Sequence, residues 1–339
     1  MPSTIFFPPV RTGIPPLFAL FLLALALMVA PSPHASASAR TRVFLDGQAI
    51  PVYMSDGDTF RILEGPYAGT NSRLAGFNAL ESYGPVHSWG QWHPYELWIN
   101  AKMATLSGRR GVWHCTTEGE RDTYGRLLVH CLDLAVDQIR RGYAHALQID
   151  DTPSAPELLR AQQEAIRARR GMWAHGVPSF VLTSLHSASE DPSRDFHYNR
   201  MVSTRDGHSE SYRHRETYQE CQTVCATEIR ADEARVLEVA RLLREDPALR
   251  PRLGGLSHLL LIEAVDRYAR LGMLPEYTEP ALAAALGPRL ESMRARGELG
   301  GTEEVRGACM LYVEFERRYG GQRATCLRDR GAGRPQEAR

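Results

Sequence analysis

The sequence has almost no lysine. Lys102 is the only one, and arginine supplies the rest of the positive charge. Neither sign is in excess, since 40 basic side chains stand against 40 acidic ones. A protein that grips nucleic acid through bulk charge would be basic, so that class is disfavoured. A local phosphate site is untouched by this argument. Arginine occurs on every kind of segment, so the scarcity of lysine reads as composition bias. No internal repeat is evident. Apolar residues make up 43% and charged residues 24%, which is globular composition and removes collagen, mucin and wholesale disorder. A chain of 339 residues is enough for about two domains at roughly 150 residues each.

Long apolar runs are also scarce. The single one, residues 17–30, is fourteen residues long. A membrane-crossing helix needs about 20. Arg11 precedes the run, and Pro31, Pro33 and the small residues Ala35-Ser36-Ala37-Ser38-Ala39 follow it. A positive start, a short apolar centre and an A-x-A exit describe a secretory signal. Residues 1–39 are therefore expected to be a signal peptide cut after Ala37 or Ala39. The mature chain is expected to be free of the membrane and exported, to a periplasm or outside the cell.

Cysteine is sparse but even in number: Cys115, Cys131, Cys221, Cys225, Cys309 and Cys326. In an exported chain an even count reads as disulfides. Cys115 and Cys131 are equidistant from Thr123 in the turn-like stretch Glu120-Arg121-Asp122-Thr123-Tyr124-Gly125. Strands folded about that turn would set the two cysteines opposite each other, close to bonding distance. Cys221 and Cys225 are read on one helical face, each reaching Cys309 or Cys326 rather than the other. A zinc site on these four is the weaker reading, because C-x-x-x-C is not the usual knuckle spacing.

The expected fold class is α+β. Strands are expected over 41–45 and 50–54 around an Asp46-Gly47 turn, then over 58–62 and 73–77. A helix follows over 88–106, with Tyr95, Ile99, Met103 and Leu106 on one stripe. A hairpin over 111–116 and 126–132 precedes a short helix over 136–142. A longer helix covers 154–174, with Pro156 in its first turn, where proline is tolerated. Five or so strands with one inserted and two trailing helices describe a small barrel with helices packed on it.

Residues 184–211 are rich in Ser, Asp, Arg and His and read as a linker or long surface loop. His186, His197, His208 and His214 fall in or near it, and solvated surface is favoured over a metal cluster. The stretch from Ser203 to His208 has no assignable role. Residues 212–327 read as a mostly α-helical, disulfide-stapled domain, with helices over 212–230, 231–244, 257–271, 279–296 and 302–319. Leu256, Leu260, Ala264, Arg267 and Leu271 form one row, flanked by Leu261, Val265 and Tyr268. Residues 328–339 read as a frayed tail.

Three clusters in the first half carry chemistry. They are Asp56-Gly57-Asp58-Thr59, the run from Arg73 through Asn78 and Ala79 to Glu81, and Asp122-Thr123-Tyr124-Gly125-Arg126. Singly they are a turn, surface charges and a hairpin. Together, in this order and ahead of two helices, they resemble the thermonuclease family, also called staphylococcal nuclease-like domains. Ile139-Arg140-Arg141-Gly142-Tyr143-Ala144 and Gly171-Met172-Trp173 share the likeness. It covers roughly residues 41–178, within an expected domain of 41–182.

The resemblance implies a five-stranded OB-fold barrel with three helices, and hydrolysis of phosphodiesters in DNA or RNA with Ca²⁺ or another divalent cation. Asp58 matches the first metal carboxylate, Asn78 falls at the second, and Ala79 would offer its backbone carbonyl. Glu81 matches the residue that activates water. Arg73 and Arg126 match the two phosphate-binding arginines, and Tyr124 would bound the substrate pocket. These types suit the task. Ca²⁺ takes oxygen ligands in a flexible shell, and two guanidiniums supply forked donors to phosphate oxygens. Asn78 departs from a carboxylate, Leu80 from the usual proline, and Thr123 stands where lysine is common. Losing one ligand charge should weaken the metal.

The leading reading is an exported, metal-dependent nuclease. The alternative is a weakened or inactive nuclease-like module that binds nucleic acid or another partner, with Asn78 as its best support. A third reading gives the helical half a protein partner.

Overall fold

The computed structural model describes residues 41–314 and 324–327. The expected signal peptide and the tail lie outside the described residues. The architecture is mixed α+β, and three disulfides staple it.

β1 (Thr41–Leu45) and β2 (Gln48–Asp56) form an antiparallel hairpin. Its two turn residues have positive φ, 50° at Asp46 and 83° at Gly47. Such a turn matches the natural twist of paired strands, which is why Asp-Gly marks it. β3 (Thr59–Ile62) and β4 (Asn71–Leu74) extend the meander. β5 (Phe77–Ala79) and β6 (Val86–Ser88) leave this sheet for others. β7 (Val112–Cys115) lies parallel to β1, and β8 (Leu127–Val129) lies parallel to β4. The sheet order is therefore β7-β1-β2-β3-β4-β8. The segments expected to make a regular hairpin meet only at two isolated bridges, one of them between Thr116 and His130. Those two residues exchange backbone hydrogen bonds of 2.9 and 2.8 Å. The sheet thus curls until its edges touch, and the Cys115–Cys131 disulfide sits beside that seam with Cα atoms 4.2 Å apart.

Alternation along these strands points Val43, Leu45, Val52, Met54, Phe60, Ile62, Leu74, Leu127 and Val129 inward. Each fully buried aliphatic or aromatic side chain contributes about 1.5–3 kcal/mol. α1 (Pro94–Gly108), α2 (Leu132–Arg140) and α3 (Pro156–Arg167) surround this core. Pro156 occupies the first turn of α3. β9 (Ala144–Ala146) pairs with β5 and sets Asn78 opposite His145.

The apolar stripe of α1 is not its buried side. Ile99, Met103 and Leu106 are exposed, while Leu97, Ala101, Ala104 and Gly108 face inward. Small residues won this face because the approach is close. A Cβ at Gly57 would lie 2.7 Å from Ala104 Cβ.

The second half departs further from expectation. Residues 184–211 are not a linker. β10 (Phe180–Ser184), β11 (His197–Ser203) and β12 (Ser209–His214) form an antiparallel sheet across them. The expected helix over 212–230 is the end of β12, a loop and β13 (Thr223–Ala231). The expected helix over 302–319 is β14 (Thr302–Leu311) as far as it is described. This half is accordingly mixed, not mostly helical. The physical reason is a period of two: Val224, Ala226 and Glu228 turn inward while their neighbours turn out. β14 pairs with β13 on one side and with β6 on the other. Cys225 bonds to Cys309 directly across that ladder, and Cys221 bonds to Cys326. Neither Cys221 nor Cys225 pairs with the other, as expected, but a strand and its approach carry them, not a helix.

α4 (Glu233–Glu245), α5 (Arg250–Leu253), α6 (His258–Leu271) and α7 (Pro280–Ala295) complete the fold. Asp232 and Ser257 cap the N-termini of α4 and α6. The buried face of α6 is centred on the flanking Leu261, Val265 and Tyr268, and Leu271 is exposed. Among the described residues, no helix is long and apolar enough to cross a membrane. Three disulfides fit an exported protein.

Candidate functional site

The turn Asp56-Gly57-Asp58 delivers Asp58 to the start of β3, where its carbonyl accepts from the Leu74 N–H at 2.9 Å. β3 pairs Thr59 with Arg73. The short step from β4 to β5 then brings Asn78 and Ala79 over the same spot. Asp58 Oδ2 accepts from the Ala79 N–H at 2.9 Å and is ion-paired with Arg73 Nη1. Asp58 Oδ1 accepts from the Thr59 hydroxyl at 3.0 Å. Arg73 Nη2 donates to Asn78 Oδ1 at 2.7 Å and to the Phe77 carbonyl at 3.4 Å. Asn78 Nδ2 donates to the Ala79 carbonyl at 2.8 Å. Only this orientation of the amide works, because the other would set its NH₂ against a guanidinium and its oxygen against a carbonyl. Asp58 and Asn78 are each 7% exposed.

Further charges surround this cluster. Asp56 Oδ1 accepts from the Gly57 N–H at 2.8 Å and the Ser82 hydroxyl at 2.9 Å. Burial, with the charge of Asp58 beside it, pushes the Asp56 carboxyl up to about 6. Lys102 donates to the Ser82 carbonyl at 2.8 Å and lies 4.1 Å from the centre of the Tyr83 ring. Burial disfavours a charged Arg73, but Asp58, then Glu81 and Asp56, more than offset it and raise its pKa. Arg73 therefore stays cationic. The Glu81 N–H donates to His87 Nε2 at 3.1 Å. His87 is buried beside His145, and burial holds them down to about 3 and 4. Both are neutral near pH 7. His145 Nδ1 hydrogen-bonds the Ala146 carbonyl at 2.9 Å, which fixes its tautomer.

The structure thus gathers Asp58, Arg73, Asn78 and Ala79 in one hydrogen-bonded cluster with Glu81 close behind. Arg126 stands on the neighbouring hairpin, one residue before β8. Its guanidinium is held by Asp122, with Nε at 2.7 Å and Nη2 at 2.6 Å from Oδ2. It also lies 5.5 Å from the centre of the Tyr124 ring. Tyr124 is 71% exposed and lies close enough to Tyr198 of β11 to feel its hydroxyl. Beyond it runs a face absent from the sequence expectation. Arg200 lies 5.7 Å from the Tyr198 ring centre, and Arg213 lies 4.2 Å from that of Phe196. Strand alternation at 196–200 was the available signal.

The histidines of the second half are not solvated surface. His197 and His208 are buried, and His186 and His214 are half-buried. The stretch from Ser203 to His208 forms the β11–β12 turn and places Asp206 and His208 inside the protein. His208 Nδ1 lies 2.6 Å from Asp206 Oδ1 and 3.8 Å from Glu263 Oε1 of α6, and its Nε2 lies 3.1 Å from Glu210 Oε1. Burial opposes a charged His208, but the hydrogen bonds to Asp206 and Glu210 prevail and raise it to about 10. Burial and Asp206 push Glu263 upward.

The donors around Asp58 are all oxygen: its carboxylate, the Asn78 amide and the Ala79 carbonyl. They suit a hard cation in kind. Each already carries a hydrogen bond, so a cation held there would have to displace Arg73 from Asp58 and the Asn78 NH₂ from Ala79. No family model matches the chain, and no curated protein matches it.

Proposed function

We propose that this protein is an exported phosphodiesterase that hydrolyses DNA or RNA with a divalent cation. Residues 41–178 would be a thermonuclease-like domain, with the curled sheet, which has six strands where five are expected, in the place of its OB barrel. The observation that carries this reading is the single cluster of Asp58, Arg73, Asn78 and Ala79, built from three strands that the motifs themselves encode. Asp58, Asn78 and Ala79 would hold Ca²⁺ or another divalent ion, which supplies neutralising charge at the phosphate. Arg73 would exchange the Asp58 carboxylate for a phosphate oxygen. Arg126 would do the same with Asp122, and Tyr124 would bound the pocket. Glu81 would take a proton from water. The Arg and aromatic face on β11 and β12 next to Tyr124 supports a nucleic-acid strand as the substrate, since bases stack on aromatic rings and arginines meet phosphates.

A cleavage assay on single-stranded DNA, duplex DNA and RNA tests this, with Ca²⁺, Mg²⁺, Mn²⁺ or EDTA and beside Glu81→Gln. Metal-dependent cleavage that falls by about 10²–10⁴ in the variant is expected for a lost general base. Cleavage unchanged in Glu81→Gln would remove that residue from the mechanism. No cleavage by folded protein in any condition would overturn the enzymatic reading.

One observation favours a second reading, a non-catalytic nucleic-acid module. Arg73 neutralises Asp58 and the Asn78 amide satisfies Ala79, so the cluster is complete without a cation. Oligonucleotide binding without cleavage would be its signature.

A further inference from the structure

We propose that Asp206, His208 and Glu263 form a closed binding site for one divalent transition-metal ion of the Zn²⁺ type, tying α6 to the β11–β12 turn. The site is separate from the Asp58 cluster and independent of the phosphodiesterase reading.

The first argument is unmet hydrogen bonding. Asp206 is 0% exposed and Glu263 is 2% exposed. Asp206 Oδ2 and Glu263 Oε1 are both buried without a hydrogen-bond partner. The Tyr277 hydroxyl is likewise buried and unpartnered, close enough to feel the charges of both acids. Buried polar atoms are nearly always satisfied, so such a group calls for a water or an ion. Asp206, His208 and Glu263 each offer one ligand atom, and these atoms all lie within 4.8 Å of one another.

The second argument is charge. Asp206, Glu210, Glu263 and Asp266 face two guanidiniums. Arg205 Nη1 lies 3.1 Å from Glu263 Oε2 and 3.4 Å from Asp266 Oδ2. Arg270 lies 2.7 Å from Asp266 Oδ2, 3.4 Å from Glu210 Oε1 and 3.9 Å from Glu263 Oε1. Against the two guanidiniums alone the four carboxylates carry two negative charges in excess; the protonated His208 offsets one of them, and a divalent cation that displaces its Nδ1 proton would balance both. Arg205 holds the far oxygen of Glu263 and leaves Oε1 turned toward His208. Arg267 is occupied by Asp151 at 3.1 Å.

The third argument is the imidazole. His208 Nε2 points at Glu210, as metal-bound histidines commonly hand their second nitrogen to a carboxylate. That fixes Nδ1 as the ligand. The ion would take the place of the Nδ1 proton, and Asp206 would open from 2.6 Å to about 3.3 Å, the spacing of tetrahedral ligands around zinc. A nitrogen ligand with carboxylates suits Zn²⁺ and its neighbours better than Ca²⁺ or Mg²⁺.

The test is zinc retention by the oxidised exported chain. The protein is stripped with EDTA, given ZnCl₂, desalted and assayed for metal, beside Asp206→Asn, Glu263→Gln and Asp58→Asn. The expected result is one zinc per chain in the unsubstituted protein and in Asp58→Asn, with at least a tenfold loss of affinity in the other two. No retained zinc, or equal retention in Asp206→Asn and Glu263→Gln, overturns the proposal. Should those variants fail to fold, anomalous scattering from zinc-soaked crystals of the unsubstituted protein decides. A peak among Asp206, His208 and Glu263 upholds the site, and a peak only elsewhere, or none, overturns it.

Discussion

Arg73 Nη2 donates to Asn78 Oδ1 at 2.7 Å, and the same amide passes a hydrogen bond on to the Ala79 carbonyl at 2.8 Å. One side chain therefore serves as acceptor for a cation and donor to a would-be metal ligand. Aspartate could do only the first. Asn78→Asp should free the Ala79 carbonyl and add a ligand charge. Calcium affinity is expected to rise by about tenfold, or roughly 1.4 kcal/mol. Calorimetry giving equal or weaker binding would contradict the charge argument.

Gly57 separates the two aspartates under a tight roof. A Cβ there would lie 2.5 Å from Ala79 Cβ and 2.7 Å from Ala104 Cβ. Neither neighbour has a flexible end to move aside, so backbone must shift. Gly57→Ala is expected to cost about 1–3 kcal/mol of stability. It should also loosen the Ala79 N–H bond to Asp58. Urea unfolding that matches the unsubstituted protein would show more room at this turn.

The Cys115–Cys131 disulfide spans a sequence separation of 16 and lies beside the seam of the curled sheet. Replacing both cysteines by serine should cost about 3 kcal/mol through a freer unfolded chain. Denaturant midpoints of the two proteins measure it directly. A loss near zero would mean that the Thr116–His130 bridge closes the seam unaided.

His145 is held neutral by burial, with a pKa near 4 in place of 6.5. Between those values the unfolded chain binds a proton that the folded chain refuses. Stability therefore falls as pH drops through that window, by up to about 1.4 kcal/mol per unit from this residue. In His145→Phe this contribution should vanish. The difference in unfolding free energy between the two proteins, measured from pH 7 to pH 4, should narrow or reverse toward acid. A constant difference would show that His145 titrates normally in the fold.

The first half was legible where signals were local. Asp46-Gly47 between alternating residues gave β1 and β2, and Pro156 marked the start of α3. Asp58, Arg73, Asn78 and Ala79 were readable because they lie on or beside three strands consecutive in sequence, β3 to β5. The stripe on α1 misled because close approach to Gly57 favoured alanine over isoleucine. β13 and β14 read as helices because charges such as Glu228, Arg230 and Glu303 fit either period. Their partners lie some 80 residues apart in sequence, which no local pattern reports. Asp206 and His208 could be given no role from the sequence for the same reason, since Glu263 reaches them from a distant helix.

The pairing of β6 with β14 has a consequence in time. β6 carries His87, which receives the Glu81 N–H, yet its ladder partner emerges from the ribosome more than 200 residues later. Until then β6 is a bare edge. The strand that shapes the backbone at Glu81 is finished only when nearly the whole chain has arrived, so a fragment released early would hold Asp58 and Arg73 but not a completed site. On the proposed phosphodiesterase reading, chain completion would set the moment at which the site can act.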